Sequence, residues 1–451
     1  MISFLALKNF KGWREVKLPL GQITVLFGIN SSGKSSLLQS ILLLKQTVES
    51  FDRSRVLNFG DSHKNYVELG DYKEAVYAHK PENKMELKVS WNLPEPVEIG
   101  QGVSASNFTY NGRFQLIEEK VVLSLLRYSA EKAELALQRN SEGDYTLSAT
   151  HFHETRITFP PESCYGIPSR LADFCPSLYP AEFSHQFENV LRNIFYLGPL
   201  RHQPERVYTW SGSKPDSVGL KGENAVQAML AVLKETLYRV PSGWGTFEWT
   251  TRPWLWDGSI TFDEEINKWM KQLGIADNLR LVKIDQDGRL YDVRLTVQGA
   301  SHETSLADVG VGVSQILPVI VQLYFAPPGS ILIFEQPEIH LHPSVQAAMA
   351  DLFIEAAGIM GHQIIIESHS EHFLVRMQRR IAESRMKLAG KEHIRLYFCC
   401  IEDDSSCAKE LDIDDYGRIE NWPGKFFGDT LGDREAIMRT LVRRKTEEKK
   451  T

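Results

Sequence analysis

The residues best suited to chemistry lie in one short segment, Gly28-Ile29-Asn30-Ser31-Ser32-Gly33-Lys34-Ser35. It is a complete G-x-x-x-x-G-K-[ST] pattern, in which glycines let the backbone wrap a phosphate and successive N–H groups face its charge. Such a lysine reaches the β- and γ-phosphates of ATP, and the serine after it binds Mg²⁺. The predicted ATP-binding residues are Asn30, Ser31, Ser32, Gly33, Lys34, Ser35 and Ser36.

A second candidate residue follows the apolar run at 331–334. Phosphoryl transfer needs an acid at the end of a strand beside the phosphate loop, where it completes the Mg²⁺ shell. Glu335 stands at that position, which is the Walker B position. Ser35 and Glu335 are therefore the predicted Mg²⁺ ligands.

Another buried strand is predicted at 362–367, and polar residues follow it. Because ligand groups in open α/β sheets lie at the carboxyl ends of strands, His369 is predicted to reach the γ-phosphate or the attacking water. The alternative is a capping serine with an incidental histidine. His340 and His342 lie in a turn, two residues apart, and a structural or subunit-contact role is preferred to metal binding.

The surrounding pattern predicts the elements that position these residues. Residues 1–20 predict two strands around Lys11-Gly12, 22–27 a buried strand, and 35–46 a helix. Residues 66–147 are strand-rich, with Asn111-Gly112 as a hairpin signal. Further predicted helices cover 182–194, 222–238, 262–273, 315–324, 344–357 and 371–388, a strand covers 330–334, and a hairpin covers 283–297.

Composition narrows the class of protein. The chain has 451 residues, 42% of them hydrophobic, and a net charge of −7. Because the chain as a whole is acidic, its net charge gives no argument for nucleic-acid binding. A local basic groove is still compatible with this composition. Five cysteines without a C-x-x-C pair predict reduced thiols. No signal-peptide pattern and no apolar run of about 18 residues is present, so a cytoplasmic protein without a membrane partner is expected.

The order of these motifs resembles the ABC-type ATPase heads of the repair and overcoming-lysogenization groups. More narrowly, the chain resembles a bacterial AAA-family ATPase group with a C-terminal domain of unknown function. The resembling stretches are residues 30–38, 196–201, 308–318, 335–343, 367–373 and 421–427.

The resemblance implies an α/β fold, a P-loop NTPase of ABC-ATPase head type with an inserted antiparallel β and helical lobe. Four regions are predicted: an ATPase lobe at 1–90, the insert at 91–300, a second ATPase lobe at 301–395 and a small C-terminal region at 396–451. The resemblance also implies a dimer with two ATP molecules between its heads. Gly310, Gly312 and Ser314 would then bind the γ-phosphate held by the other copy, although local sequence alone favours a helix N-cap with Ser314 capping.

One position departs from the ABC-type pattern. The residue after the Walker B acid is usually a glutamate that polarises the attacking water, but here it is Gln336, as is usual in the narrower group. Glutamine can hydrogen-bond to water but cannot accept its proton. Either hydrolysis is slow and the ATP state long-lived, or Glu338 acts as the base. Glu338 could equally be structural, since Pro337 turns the chain there.

The leading hypothesis is an ATP-driven dimer switch with a separate effector, such as a nuclease, because Septu-type anti-phage ATPases are among the proteins it resembles. No nuclease activity is expected in this chain, since too few residues follow His369 for a Toprim domain and the paired aspartates at 403–404 and 414–415 look like turns. One alternative is a DNA-repair clamp, with the candidate basic helix carrying Arg376, Arg379, Arg380 and Arg385. Another is a transporter subunit.

Overall fold

The structure is a computed structural model that describes residues 1–60, 65–150, 152–175, 177–233, 261–383, 393–423 and 439–440. Within these residues the helices are α1 Lys34–Val48, α2 Tyr72–Ala75, α3 Pro180–Arg192, α4 Ala225–Val232, α5 Phe262–Gln272, α6 Val311–Phe325, α7 Pro343–Met360 and α8 Glu371–Glu383. The strands are β1 Ile2–Phe10, β2 Trp13–Pro19, β3 Ile23–Gly28, β4 Met85–Gly100, β5 Val103–Ile117, β6 Lys120–Ala130, β7 Ala133–Arg139, β8 Tyr145–Ala149, β9 Phe152–Ile157, β10 Ile194–Leu197, β11 Tyr208–Thr209, β12 Ala276–Lys283, β13 Leu290–Val297, β14 Thr304–Ser305, β15 Ile331–Glu335, β16 Gln363–Glu367, β17 Ile394–Glu402 and β18 Ser405–Glu410.

A central sheet in the order β10-β15-β16-β3-β17-β18 carries the candidate site. Every pairing in it is parallel except the last, β17 with β18. Every residue of β15 and β16 is buried, as expected for a parallel sheet covered on both faces. Because the strands are parallel, Gly28, Glu335 and Glu367 end their strands at the same edge of the sheet.

The second large sheet is antiparallel, in the order β2-β1-β4-β5-β6-β7-β8-β9. Helix α3 packs against it, with the Tyr110 and Phe187 rings stacked at 4.2 Å between centroids. Strand β4 runs across the domain limit predicted at residue 90. The central sheet includes β10, which lies in the predicted insert, and β17 and β18, which lie largely in the predicted C-terminal region. The domain limits themselves stay a prediction.

The hairpin predicted at Asn111-Gly112 is wrong, because both residues lie inside β5. Gly112 serves packing instead of a turn: a Cβ at this position would lie 2.1 Å from the Tyr110 hydroxyl oxygen. The chain reverses at Gln101-Gly102, where Gly102 has a φ of +69°. Close packing of aromatic side chains therefore overrides the local turn propensity.

The expectation that all cysteines are reduced is wrong for two of them. Cys400 and Cys407 are directly opposite each other in the β17–β18 pair and form a disulfide. Cys164, Cys175 and Cys399 are buried thiols. The sequence did not predict this disulfide, because the register of β17 and β18, and not a C-x-x-C spacing, brings the two cysteines together. Within the described ranges, no helix is both long enough and apolar enough to cross a bilayer.

Candidate nucleotide-binding and catalytic site

The phosphate loop lies between β3 and α1, as predicted. Gly33 precedes the helix with a φ of +91°, and a Cβ there would lie 2.6 Å from Ser406 Oγ and 2.8 Å from Trp13 Nε1. Gly28 has a φ of +141°, and its Cβ would lie 2.1 Å from the Cys399 carbonyl oxygen. Both positions therefore require glycine, for backbone conformation and for space.

Lys34 is held inside this loop. Its buried ammonium donates to the Gly28 carbonyl at 3.1 Å and to the Ile29 carbonyl at 2.8 Å. Burial lowers the pKa of Lys34, while nearby Glu367 opposes that shift. A cation at the start of α1, among backbone N–H groups, is the arrangement that binds the phosphates of a nucleotide.

The loop faces a cavity of ≈ 510 Å³. It is lined by Gly12, Asn30, Ser31, Ser32, Gly33, Lys34, Ser35, Ser36, Gln336, Glu367, His369 and Ser406. All seven residues proposed to bind ATP are among them, together with Gln336 and His369. Glu335, Glu338 and the glycine-rich segment at 310–314 are not.

Three lining residues were not predicted from the sequence. Glu367 ends an apolar strand, so the rule that selected Glu335 would have found it. Gly12 and Ser406 carry no such signal, because they come together through a tertiary contact in which the Ser406 N–H donates to the Gly12 carbonyl at 2.8 Å. Trp13 braces the loop from the same side, with Nε1 donating to the Gly33 carbonyl at 3.0 Å.

Two carboxylates lie side by side at the sheet edge. Glu335 and Glu367 are partners in the register of β15 and β16 and are 8% and 2% exposed. Burial and the Glu367 charge raise the pKa of Glu335 to about 7, although a Tyr196 hydrogen bond and Arg201 act in the opposite direction. Two adjacent buried acids favour a cation between or beside them.

Gln336 follows Glu335 with a left-handed backbone, at a φ of +43°. Such a conformation costs about 1–3 kcal/mol in a residue other than glycine and persists where neighbours hold it. Here the Gln336 N–H donates to the Glu367 carbonyl at 2.8 Å, and its side-chain Nε2 lies 3.4 Å from Glu367 Oε1. The glutamine is thus tied to Glu367 by backbone and side chain.

Glu338 holds the segment that carries His369. Its Oε1 accepts from the Ser368 hydroxyl at 2.9 Å and from the His369 N–H at 2.6 Å. Burial raises the pKa of Glu338. Burial, followed by the Lys34 charge, lowers the pKa of His369, so its neutral form is favoured. The contacts of Glu338 fit a positioning role.

The donor set suits a divalent cation. Ser32 Oγ is buried beside the cavity and has no hydrogen-bond partner within the described residues, and the Glu335 and Glu367 carboxylates end adjacent strands at the same sheet edge. Carboxylate and hydroxyl oxygens are the ligands that Mg²⁺ prefers. The residues present therefore fit the expected Mg²⁺, and Ser35 and Glu335 stay its predicted ligands.

Arg201 is a buried cation near Glu335 and Glu338. The sequence motifs did not identify it as a site residue. It is 8% exposed, and its Nε and Nη1 have no hydrogen-bond partner in the described part of the chain. Burial lowers its pKa to about 10, while Tyr196, Glu335 and Glu338 oppose the shift. The stretch at 196–201 thus supplies the countercharge to the acidic edge.

The glycine-rich segment forms a helix start. Helix α6 begins at Val311, four residues earlier than predicted, with Gly310 as its N-cap residue. Ser314 is not a cap, contrary to the local-sequence alternative, because its hydroxyl donates to the Val311 carbonyl at 2.7 Å inside the first turn. Gly310, Gly312 and Ser314 do not line the cavity of their own chain, and their role toward a second copy stays a prediction.

His342 is a helix cap, since its Nδ1 accepts from the Ser344 N–H at the start of α7. His340 is exposed, with a φ of +61°. Neither histidine lines the cavity. The cap is a structural role for His342, while a structural or subunit-contact role for His340 stays a prediction.

The candidate basic helix α8 is largely neutralised. Arg376 and Arg380 pair with Asp351, and Arg379 and Arg380 pair with Glu383. Arg385 lies outside the described residues. The arginines that the structure describes therefore offer little free charge to a phosphate backbone.

The aspartate pairs lie in turns. Asp403 and Asp404 connect β17 to β18 with φ values of +48° and +58°. Asp414 accepts from the Tyr416 and Arg418 N–H groups.

Two family models match this chain. A family model described as an AAA ATPase domain matches residues 1–154 and 250–374, more than half of the chain. A second, described as a protein of unknown function (DUF3696), matches residues 391–437. The stretch at 421–427, which carries much of the resemblance, falls inside this second match, although residues 424–427 lie outside the described structure.

Curated relatives match locally. An uncharacterized protein of Methanocaldococcus jannaschii, MJECL10, is 44% identical over 52 residues, which are 11% of this chain and 24% of that protein. The tungstate uptake system ATP-binding protein TupC of Campylobacter jejuni is 28% identical over 131 residues, 28% of this chain and 33% of that protein. The matches thus span a third or less of these relatives.

Two solved structures are similar over most of their length at low identity. One is an Smc head bound to the C-terminal winged-helix domain of ScpA, with 13% identity and a TM-score of 0.44, covering 92% of this chain and 98% of that one. The other, from Pyrococcus furiosus, is an Smc head with an extended coiled coil bound to the C-terminal domain of ScpA, with 13% identity and a TM-score of 0.45, covering 91% and 96%.

The family match and the strand–loop–helix unit in a parallel sheet confirm the predicted P-loop fold of ABC-ATPase head type. They also confirm the resemblance to an AAA-family group with a C-terminal domain of unknown function, whereas a Septu-type or overcoming-lysogenization subtype stays a prediction. This chain belongs to the AAA ATPase domain family.

Proposed function

We propose that this protein binds ATP with Mg²⁺, closes into a dimer around it and hydrolyses it slowly. The closed dimer signals to a separate effector, for which a nuclease acting in anti-phage defence is the leading candidate. The observation that carries the proposal is one cavity that brings together the phosphate loop, the strand-end acid Glu367 and His369. Glu335 ends the neighbouring strand as the register partner of Glu367.

The residues have separable tasks. Lys34 and the N–H groups of residues 30–35 hold the phosphates, and His369 approaches the γ-phosphate from the neighbouring strand end. Ser35 and Glu335 would hold Mg²⁺, which supplies charge neutralisation on the phosphate oxygens. Gln336 can orient water without accepting its proton, which supports slow turnover.

The first test is nucleotide binding by the purified chain, measured with a fluorescent ATP analogue. Lys34→Ala should abolish ATP binding, because it removes the ammonium at the phosphates. Unfolding measured by circular dichroism serves as the control for an intact fold. Unchanged ATP binding in Lys34→Ala would contradict the assignment of the phosphate loop.

The dimer can be tested at Gly310. A Cβ at this N-cap position meets nothing within 4 Å, so a side chain is tolerated in the monomer. Gly310→Asp would place a negative charge at the α6 N-terminus, where the γ-phosphate of the other copy is expected. Light scattering should show ATP-dependent dimers for wild type and the matched Gly310→Ala control, and monomers for Gly310→Asp.

The defence role needs a cellular test. Cells carrying this gene together with its genomic neighbours should resist phage infection, and the same cells with Lys34→Ala should not. Equal phage sensitivity of the two strains would contradict the defence role and leave ATP binding untouched. Direct action on DNA has less support, because the described arginines of α8 are paired with acids.

A further inference from the structure

We propose that Glu367 is the general base of ATP hydrolysis and that Gln336 holds it in place. The proposal rests on the ATPase activity proposed above and names a residue that neither the P-loop pattern nor the Walker B position identifies. It gives the proton of the attacking water an acceptor on the strand next to the one that ends in Glu335.

The placement of Glu367 is the first step. It ends β16 directly beside Glu335 in the parallel register, and it lines the cavity with Lys34 and His369. The side chain is 2% exposed. Its Oε2 is buried without a hydrogen-bond partner among the described residues. A buried carboxylate oxygen with no partner is costly unless a ligand or water completes it, so the orphaned atom points to an occupant of the cavity.

The contact with Gln336 is the second step. Its amide Nε2 lies 3.4 Å from Glu367 Oε1, and its N–H donates to the Glu367 carbonyl. An amide donor at Oε1 orients the carboxylate and leaves Oε2 open. A glutamate at position 336 would instead put a third acid next to Glu335 and Glu367, and like charges this close repel. Gln336 therefore fits a neighbour that already carries the catalytic charge.

The rival base is placed less well. Glu338 also has a buried Oε2 without a hydrogen-bond partner among the described residues, and its Oε1 accepts from the Ser368 hydroxyl and the His369 N–H. Unlike Glu367, however, Glu338 does not line the cavity. It positions the backbone before α8, whereas Glu367 faces the space where ATP would lie.

The chemical step is a hydrolysis. Glu367 Oε2 takes one proton from a water molecule as the water oxygen forms a bond to the γ-phosphorus. The bond between the γ-phosphorus and the bridging oxygen breaks, and ADP leaves with that electron pair. Glu367 then releases the proton to solvent, so that ATP and water yield ADP, phosphate and a proton. General-base catalysis of this kind contributes about 10²–10⁴-fold.

The test compares Glu367→Gln with Glu371→Gln. Glu371 is an exposed acid on α8, four residues further along the chain and outside the cavity lining, so it controls for loss of one carboxylate in this region. Glu367→Gln should lower single-turnover hydrolysis by about 100-fold or more while it still binds a fluorescent ATP analogue. After rapid filtration it should retain ATP, whereas wild type should retain ADP. Glu371→Gln should behave as wild type.

A swap variant separates catalysis from structure. Gln336→Glu combined with Glu367→Gln keeps the number of carboxylates and amides and moves the acid to the neighbouring strand end. It should recover at least 10-fold of the lost turnover. If Glu367→Gln alone does not fold, the swap decides: recovered turnover supports the proposal, and its absence overturns it.

Two further results would overturn the proposal: wild-type turnover in Glu367→Gln, or loss of Mg²⁺-dependent ATP binding in that variant. The second would make Glu367 a metal ligand. Absence of ATP binding in the wild type, or its persistence in Lys34→Ala, would instead count against the proposed ATPase function itself.

Discussion

The substitution Gly33→Ala tests how the phosphate loop is held. Gly33 has a φ of +91°, and its added Cβ would lie 2.6 Å from Ser406 Oγ and 2.8 Å from Trp13 Nε1. The variant therefore combines backbone strain with contact against two side chains that brace the loop. The loop can escape both only by leaving the conformation in which its N–H groups face the cavity.

The magnitude follows from these two effects. Left-handed backbone in a residue other than glycine costs about 1–3 kcal/mol. Each 1.4 kcal/mol lowers a binding constant about tenfold. Displacing Ser406 and Trp13 adds to this cost, so ATP affinity should fall by about 10- to 100-fold or more. The free energy of unfolding should change less, because the loop can relax without unpacking the core.

Gly102→Ala is the matched control, measured by titration calorimetry with ATP alongside Gly33→Ala. Gly102 has a φ of +69°, but an added Cβ meets nothing within 4 Å. This variant bears the backbone strain far from the loop, and its ATP affinity should equal that of wild type. Adding Ser406→Gly to Gly33→Ala removes one of the two contacts and should restore part of the affinity.

Two results would refute this account. If Gly33→Ala binds ATP as tightly as wild type, the loop does not depend on its conformation and contacts. If Gly33→Ala is weakened but Ser406→Gly restores nothing, the β17–β18 pair does not brace the loop, and backbone strain alone explains the loss.

Two other perturbations have defined outcomes. Burial lowers the pKa of His362 from 6.5 to about 4, so the unfolded chain binds a proton there at higher pH than the folded one. The free energy of unfolding should fall by about 3 kcal/mol as the pH drops from 6.5 through 4; urea titrations of His362→Asn should lack that part of the pH dependence, and an unchanged slope would contradict the reasoning. Arg201→Met removes the buried countercharge to Glu335 and Glu338 and should lower the free energy of unfolding by about 3 kcal/mol, while Arg201→Lys should recover most of it; equal urea midpoints for all three proteins would show that Arg201 does not offset the acids.

Local patterns in the sequence predicted the parts of the site that lie within one strand–loop–helix unit. The G-x-x-x-x-G-K-[ST] spacing places Lys34 and Ser35, because the glycines and the helix start that follow it are set by neighbouring residues. Continuous apolar runs predicted β15 and β16, since a strand buried on both faces needs them. The same local reasoning was wrong at Asn111-Gly112, where packing against Tyr110 uses the glycine inside a strand.

Tertiary structure alone decided which residues meet across the cavity. Ser406 reaches the phosphate loop through the β17–β18 pair, Arg201 lies behind Glu335, and Cys400 joins Cys407, each by packing or register between distant segments. The first acid after Gln336 in the sequence is Glu338, which does not line the cavity, whereas Glu367 lines it from the adjacent strand. Side-chain periodicity records which face of an element is buried, but it holds no information about which strand lies beside which, or in what register.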